Sequence, residues 1–255
     1  MKYEFDKEVY RVKKKSRLKK ILIASLVVCA LLIGAFFLYV GTYYHADKSA
    51  LASMTDTSTV TVTYEDNHIV FRPKEATQTG VIFYPGGKVE EEAYAPLCKM
   101  IAESGYTCVL VSMPFRLAVL DYDAAEDIMD EYEEMKDWYL AGHSLGGAFG
   151  ATFASKHSDQ LEGLILLGAY STSDLTQTNL NVLSIYGSED NVLNKSKYET
   201  YQSNLPADAT ELIIEGGNHA YYGNYGEQSG DGLASISRDE QQQKTVQAII
   251  EFMNN

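Results

Sequence analysis

Cysteine is scarce in this chain of 255 residues: Cys29, Cys98 and Cys108 are all there are. Cys29 lies in an apolar run, and the two that remain are too few for a disulfide framework. Both stand among apolar neighbours and read as unpaired core thiols. Basic residues are scarce beyond the first twenty positions. Residues 1–20 hold nine Lys/Arg against three acids, a local charge of +6, so with a total of −14 the rest of the chain carries −20. A body this acidic repels backbone phosphates, which excludes a nucleic-acid surface. The chain also lacks internal repeats, low-complexity tracts and any His/Cys/Asp cluster with metal-ligand spacing, so no metal or cofactor is expected.

What is present near the start is a long apolar run. Residues 21–40, ILIASLVVCALLIGAFFLYV, contain no charge. At 1.5 Å per residue a helix of that length covers about 30 Å, the thickness of a bilayer's hydrocarbon. A cleaved signal peptide has a shorter apolar region ending in small residues, whereas this run ends in the bulky FFLYVGTYY. The run therefore predicts a retained, single-pass signal-anchor. KKKSRLKK just before it places residues 1–20 in the cytoplasm by the positive-inside rule, and the rest of the chain outside the cell. Residues 41–56 read as a polar linker, with His45 solvated.

From 57 to 255 one domain is expected. STVTVTYE and HIVFRP flank Asp66-Asn67 as an antiparallel hairpin. TGVIFYP, TCVLVSMP, DWYLAG, LEGLILLGAY, LNVLSIYG and TELIIEG are apolar strands, separated by helical stretches near 91–104, DYDAAEDIMDEYEEM, GGAFGATFASKH and a closing SRDEQQQKTVQAIIEFMNN. Continuous apolar strands alternating with helices predict an α/β fold. Its central sheet is mostly parallel, with helices on both faces and no inserted lid.

The strongest local signal is Gly142-His143-Ser144-Leu145-Gly146 between a strand and a small-residue helix. Glycines two before and two after the serine permit a sharp turn that exposes its hydroxyl. Such a serine needs a base, and the base an orienting acid. Two later strands supply them: Glu189-Asp190 follows LNVLSIYG, and His219 follows TELIIEG. Asp190 is preferred over Glu189, because Val192 two beyond it resembles the usual G-x-x-D-x-x-V/I pattern; Glu189 is the alternative. Of the other histidines, His143 is expected to pack beneath the turn, His157 to lie at a helix end, and His68 has no role. The backbone amide of Leu145, and that of Gly87 or Lys88 in the PGGK loop, are the candidate donors to a developing oxyanion. That loop matches neither glycine-rich phosphate fingerprint. Tyr221, Tyr222 and Tyr225 beside His219 are candidate substrate-lining residues.

Together VIFYPGGKVEEEAYAPL, GHSLGG, YGSEDNV and GGNHAYYGNYG resemble the α/β-hydrolase superfamily over residues 57–255, and its dienelactone hydrolase-like branch in particular. The resemblance implies a triad of Ser144, Asp190 and His219, with serine where dienelactone hydrolase proper has cysteine. It implies a serine hydrolase of carboxylic esters; the lack of an inserted lid suits small or surface-borne esters, and the apolar run, which lies outside the family pattern, places residues 21–40 in the lipid bilayer. A serine peptidase or acyltransferase with the same triad, and a non-catalytic membrane-tethered binding module, are the alternatives.

Overall fold

The computed structural model describes residues 2–255; the side chains of residues 2, 3, 8 and 12–16, which include Lys2 and Lys13 to Lys15 of the basic cluster, lie outside the described residues. The chain divides into two units, one ending at Thr42 and one of Tyr43–Asn255. The first is a single helix, α1 (Lys2–Val40). Its stretch Arg17–Val40 has a length and hydropathy compatible with a membrane span or a signal sequence. Leu22, Leu26, Leu31 and Leu38 on it are all exposed.

The second unit is built on eight strands: β1 (Val60–Tyr64), β2 (His68–Pro73), β3 (Thr79–Tyr84), β4 (Thr107–Val111), β5 (Asp137–His143), β6 (Gly163–Leu167), β7 (Asn181–Gly187) and β8 (Thr210–Ile214). They form one sheet in the order β1-β2-β4-β3-β5-β6-β7-β8. The β1–β2 and β2–β4 pairs are antiparallel, and every later pair is parallel. The expected hairpin and mostly parallel sheet are thus both present. Six parallel strands align their carboxyl ends along one edge, and in open α/β sheets that edge is where sites form.

Alternation along the strands explains why they read as unbroken apolar runs. Val81, Phe83, Ile165 and Ile185 face one core, shared with Leu97 and Ile101 of α3 (Ala95–Glu103) and Val246 and Ile249 of α7 (Arg238–Met253). Ile82, Tyr84, Leu140 and Leu164 face the other, with Ile128 of α4 (Ala124–Glu131) and Phe153 of α5 (Leu145–Ala154). Both faces are covered, so neither set of positions can be polar. Each such side chain contributes about 1.5–3 kcal/mol when fully buried. Cys98 and Cys108 are buried, unpaired thiols within the first core.

Two local features depart from the sequence reading. Residues 43–56, expected as a linker, belong to the body. Tyr44 donates its amide to Lys88 O at 2.8 Å and accepts from Glu90 N at 2.9 Å. His45 is exposed, as expected, and its Nδ1 lies 2.9 Å from Glu90 Oε1. Asp47 caps α2 (Lys48–Ala52) and pairs with Arg238 at 2.9 Å. Polar side chains here are consumed by specific partners, which composition alone does not reveal. The second departure is α6 (Lys195–Tyr201), capped by Asn194, which the apolar pattern did not announce.

Candidate active site

The sharp turn expected after β5 is present, and Ser144 carries it at φ 52° and ψ −118°. That is a costly conformation for a residue with a Cβ, held only where surroundings over-determine it. Here they do. The Ser144 amide donates to Leu167 O at 2.9 Å, and Ser144 O accepts from Ala148 N at 3.0 Å. The flanking glycines are required by contact. A Cβ on Gly142 would meet Gly147 N at 2.6 Å, and one on Gly146 would meet Tyr84 O at 2.3 Å.

His219 follows β8 and is buried. Its Nδ1 lies 2.8 Å from Asp190 Oδ2. The second oxygen of Asp190 accepts from Val192 N at 2.9 Å and Leu193 N at 2.7 Å, which fixes the carboxylate from the opposite side. Glu189 does not reach the ring; its Oε1 accepts from Ser188 Oγ at 3.1 Å. Nε2 of His219 is buried and has no hydrogen-bond partner among the described residues. Ser144 and His219 line one pocket of about 230 Å³, together with Leu145, Gly168, Tyr170 and Leu193.

The expected amide donors separate. Lys88 N–H donates to Arg116 O at 2.9 Å, so it is spoken for. Leu145 and Gly87 remain; a Cβ on Gly87 would meet Leu145 Cδ2 at 2.7 Å, so the loop after β3 lies directly against the turn. The expected tyrosine lining is corrected too: none of the three lines this pocket. Tyr222 is buried against His143, with ring centroids 5.2 Å apart, and Tyr225 packs on Tyr44 and Tyr94. Tyr221 lies under the Arg238 guanidinium. Rings next to glycines in this loop fill the space behind the histidine, and Tyr170 after β6 supplies the aromatic wall instead.

Beneath the turn, His143 is buried beside the His219 ring, with centroids 4.5 Å apart. Burial, and the neighbouring His219 ring, hold the His143 imidazole well below its usual pKa. Its Nδ1 lies 2.8 Å from the Tyr94 hydroxyl, which also accepts from Gly86 N at 3.0 Å. Since the hydroxyl accepts from Gly86, its own hydrogen is free to go to Nδ1. Burial pushes the Tyr94 phenol above its usual range.

The residues that hold His219 in place were not found in the sequence. Asp231 accepts from Ala220 N at 2.8 Å and His219 N at 3.2 Å. Gln241 clasps Asn218 from both sides, accepting from its amide at 2.9 Å and donating to its carbonyl at 2.7 Å. Gln241 did leave a signal: it shares helical spacing with Thr245, Val246 and Ile249, on the buried face of α7. Asp231 left none. Among the described residues no group of three His, Cys, Asp or Glu side chains is placed to hold a metal ion.

A model described as "Alpha/beta hydrolase family" matches residues 80–243. A search of curated proteins gives no match. Among solved structures, the monoacylglycerol lipase of Paleococcus ferrophilus superposes with a TM-score of 0.59 at 12% identity, covering 74% of this chain and 100% of that one. The carboxylesterase CesB (YbfK) of Bacillus subtilis gives 0.56 at 13%, covering 80% and 94%. A bacterial membrane phospholipase A, described as a virulence factor, gives 0.57 at 12%, covering 92% and 98%. At these identities the likeness is one of fold.

Proposed function

The chain belongs to the alpha/beta hydrolase family, and from that premise we propose that it is a serine hydrolase of carboxylic esters, anchored in the membrane by residues 21–40. One observation carries the reading. The 2.8 Å contact between Asp190 and His219 orients a buried imidazole whose other nitrogen has no partner among the described residues, in the pocket that Ser144 also lines. Asp190 holds the tautomer in which Nδ1 carries the hydrogen, so Nε2 is the basic atom. Nε2 takes the Ser144 proton as the oxygen attacks the ester carbonyl. The alkoxide then leaves with that proton, and water repeats the sequence on the acyl-enzyme. The amides of Leu145 and Gly87 are our choice for the oxyanion donors, since each lacks a partner among the described residues and Gly87 lies against the Leu145 side chain.

The likeness to the dienelactone hydrolase-like branch and the cytoplasmic N-terminus remain part of this proposal, resting on the motifs and the basic cluster. The lipase, carboxylesterase and phospholipase folds among the similar structures favour an ester over an amide. Hydrolysis of p-nitrophenyl acetate by the detergent-solubilised chain tests it. Activity lost in Ser144→Ala supports the proposal; activity retained in that variant defeats it.

A further inference from the structure

We infer that Asp231 is a positioning residue of the proposed reaction: its carboxylate ties the loop that carries His219 to the loop that carries Asp190, and so sets the acid against the base. The inference rests on the proposed function above and adds the residue that keeps its triad in register.

The two loops follow neighbouring parallel strands, β7 and β8, and must converge for Asp190 and His219 to meet. Strand pairing carries them only part of the way. Among the described residues the last backbone bond between the loops runs from Glu189 N–H to Gly217 O, at 2.8 Å. Asp190 and His219 lie one and two positions beyond it.

Asp231 arrives from a third segment. Gln228-Ser229-Gly230-Asp231 closes as a turn, with Asp231 N–H on Gln228 O at 3.1 Å and Gly230 at φ 85°. A positive φ at that third position of a turn favours glycine. The turn delivers the carboxylate to both loops. Its Oδ2 accepts from Ala220 N at 2.8 Å. Its Oδ1 accepts from His219 N at 3.2 Å on one loop and from Asn191 N at 3.4 Å on the other. Gly232 N also donates to Oδ1, at 2.8 Å. One charged acceptor thus holds backbone on both sides of the 2.8 Å contact between Asp190 and His219.

The next residue closes the same junction. Gly232 O accepts from Asn218 Nδ2 at 2.9 Å, and a Cβ on Gly232 would meet Glu189 O at 1.9 Å. Asn218 precedes His219 and Glu189 precedes Asp190, so Asp231-Gly232 is wedged between the approaches to the base and the acid. The Asp231 carboxylate is spent on amides and acts through the two residues it holds. Misplacing reacting groups by about 1 Å can cost a hundredfold in rate.

The test uses the detergent-solubilised full chain with p-nitrophenyl acetate. Asp231→Ala is expected to lower kcat about thirtyfold and change KM less than about threefold, because orientation rather than binding is lost. Asp231→Asn keeps an acceptor for the His219 and Asn191 amides and is expected to lose only about fivefold. In an Asp190→Asn background the Asp231→Ala loss is expected to shrink below about threefold, since no acid is left to position. Amide exchange is expected to quicken together in residues 189–193 and 218–222, and to stay unchanged in β3 and β5.

Full additivity with Asp190→Asn, or an Asp231→Asn variant as impaired as Asp231→Ala, overturns the inference. So does faster exchange confined to the His219 segment. If Asp231→Ala does not fold, exchange and the double variant are read in Asp231→Asn. If the wild type hydrolyses no ester, the serine-hydrolase proposal fails, while exchange in the two segments still decides the tie.

Discussion

The Tyr94 hydroxyl lies 2.8 Å from His143 Nδ1 and 3.0 Å from the Gly86 amide, joining the helix-leading turn before α3, the end of β5 and the loop after β3. One buried phenol thus holds the loop that carries Gly87 and the ring that lies under His219.

Tyr94→Phe removes that link without removing volume. It leaves the Gly86 N–H and His143 Nδ1 buried without this partner, which costs about 1–3 kcal/mol. Urea denaturation is expected to show a loss of that size. Ester turnover is expected to fall more in kcat than in KM, because the loop is displaced relative to the turn. A variant as stable and active as the wild type would refute this role.

Asp190→Asn keeps the shape of the acid but no longer fixes the tautomer of His219. Turnover is expected to drop by about a thousandfold or more. Glu189→Gln, which removes a carboxylate that among the described residues bonds only Ser188, is expected to change turnover less than about threefold. Steady-state kinetics on the two variants decide between the acids.

Folding stability carries a sign set by His143. Burial lowers its pKa in the folded state below the ordinary 6.5, so the unfolded chain takes the proton first as pH falls. The stabilisation is complete above about 6.5 and declines below it, by at most about 1.4 kcal/mol per pH unit for one proton. His68, whose pKa burial also lowers, acts in the same direction. Urea midpoints across the range from about pH 5 to 8 are expected to show the decline, and His143→Asn is expected to flatten it. A midpoint that rises on acidification contradicts the assignment.

Gly146→Ala places a methyl 2.3 Å from Tyr84 O, against backbone that cannot yield. A loss of about 3 kcal/mol or more is expected, with poor recovery of folded protein. Wild-type thermal stability in this variant would show that the turn is looser than described.

The sheet was legible because both faces of the inner parallel strands are buried, which writes long apolar runs into TGVIFYP and LEGLILLGAY. Ser144, Asp190 and His219 could be named because strand ends and glycines mark where the chain must turn. Contacts between distant polar groups left no such period. Tyr94 looks like one more apolar residue at the start of a helix, and Asp231 like a solvated acid in a glycine-rich loop. Tyr222, a candidate for substrate lining, packs on His143, because adjacency in sequence does not fix which way a ring turns. Lys88 looked available until Arg116, which follows a different strand, took its amide.

Peptide mapping after fluorophosphonate treatment tests the central claim most directly. The account predicts a single phosphonylated residue, Ser144, with labelling lost in His219→Ala and in Ser144→Ala. Adduct formation at another serine, or undiminished labelling of Ser144 when His219 is removed, would contradict it.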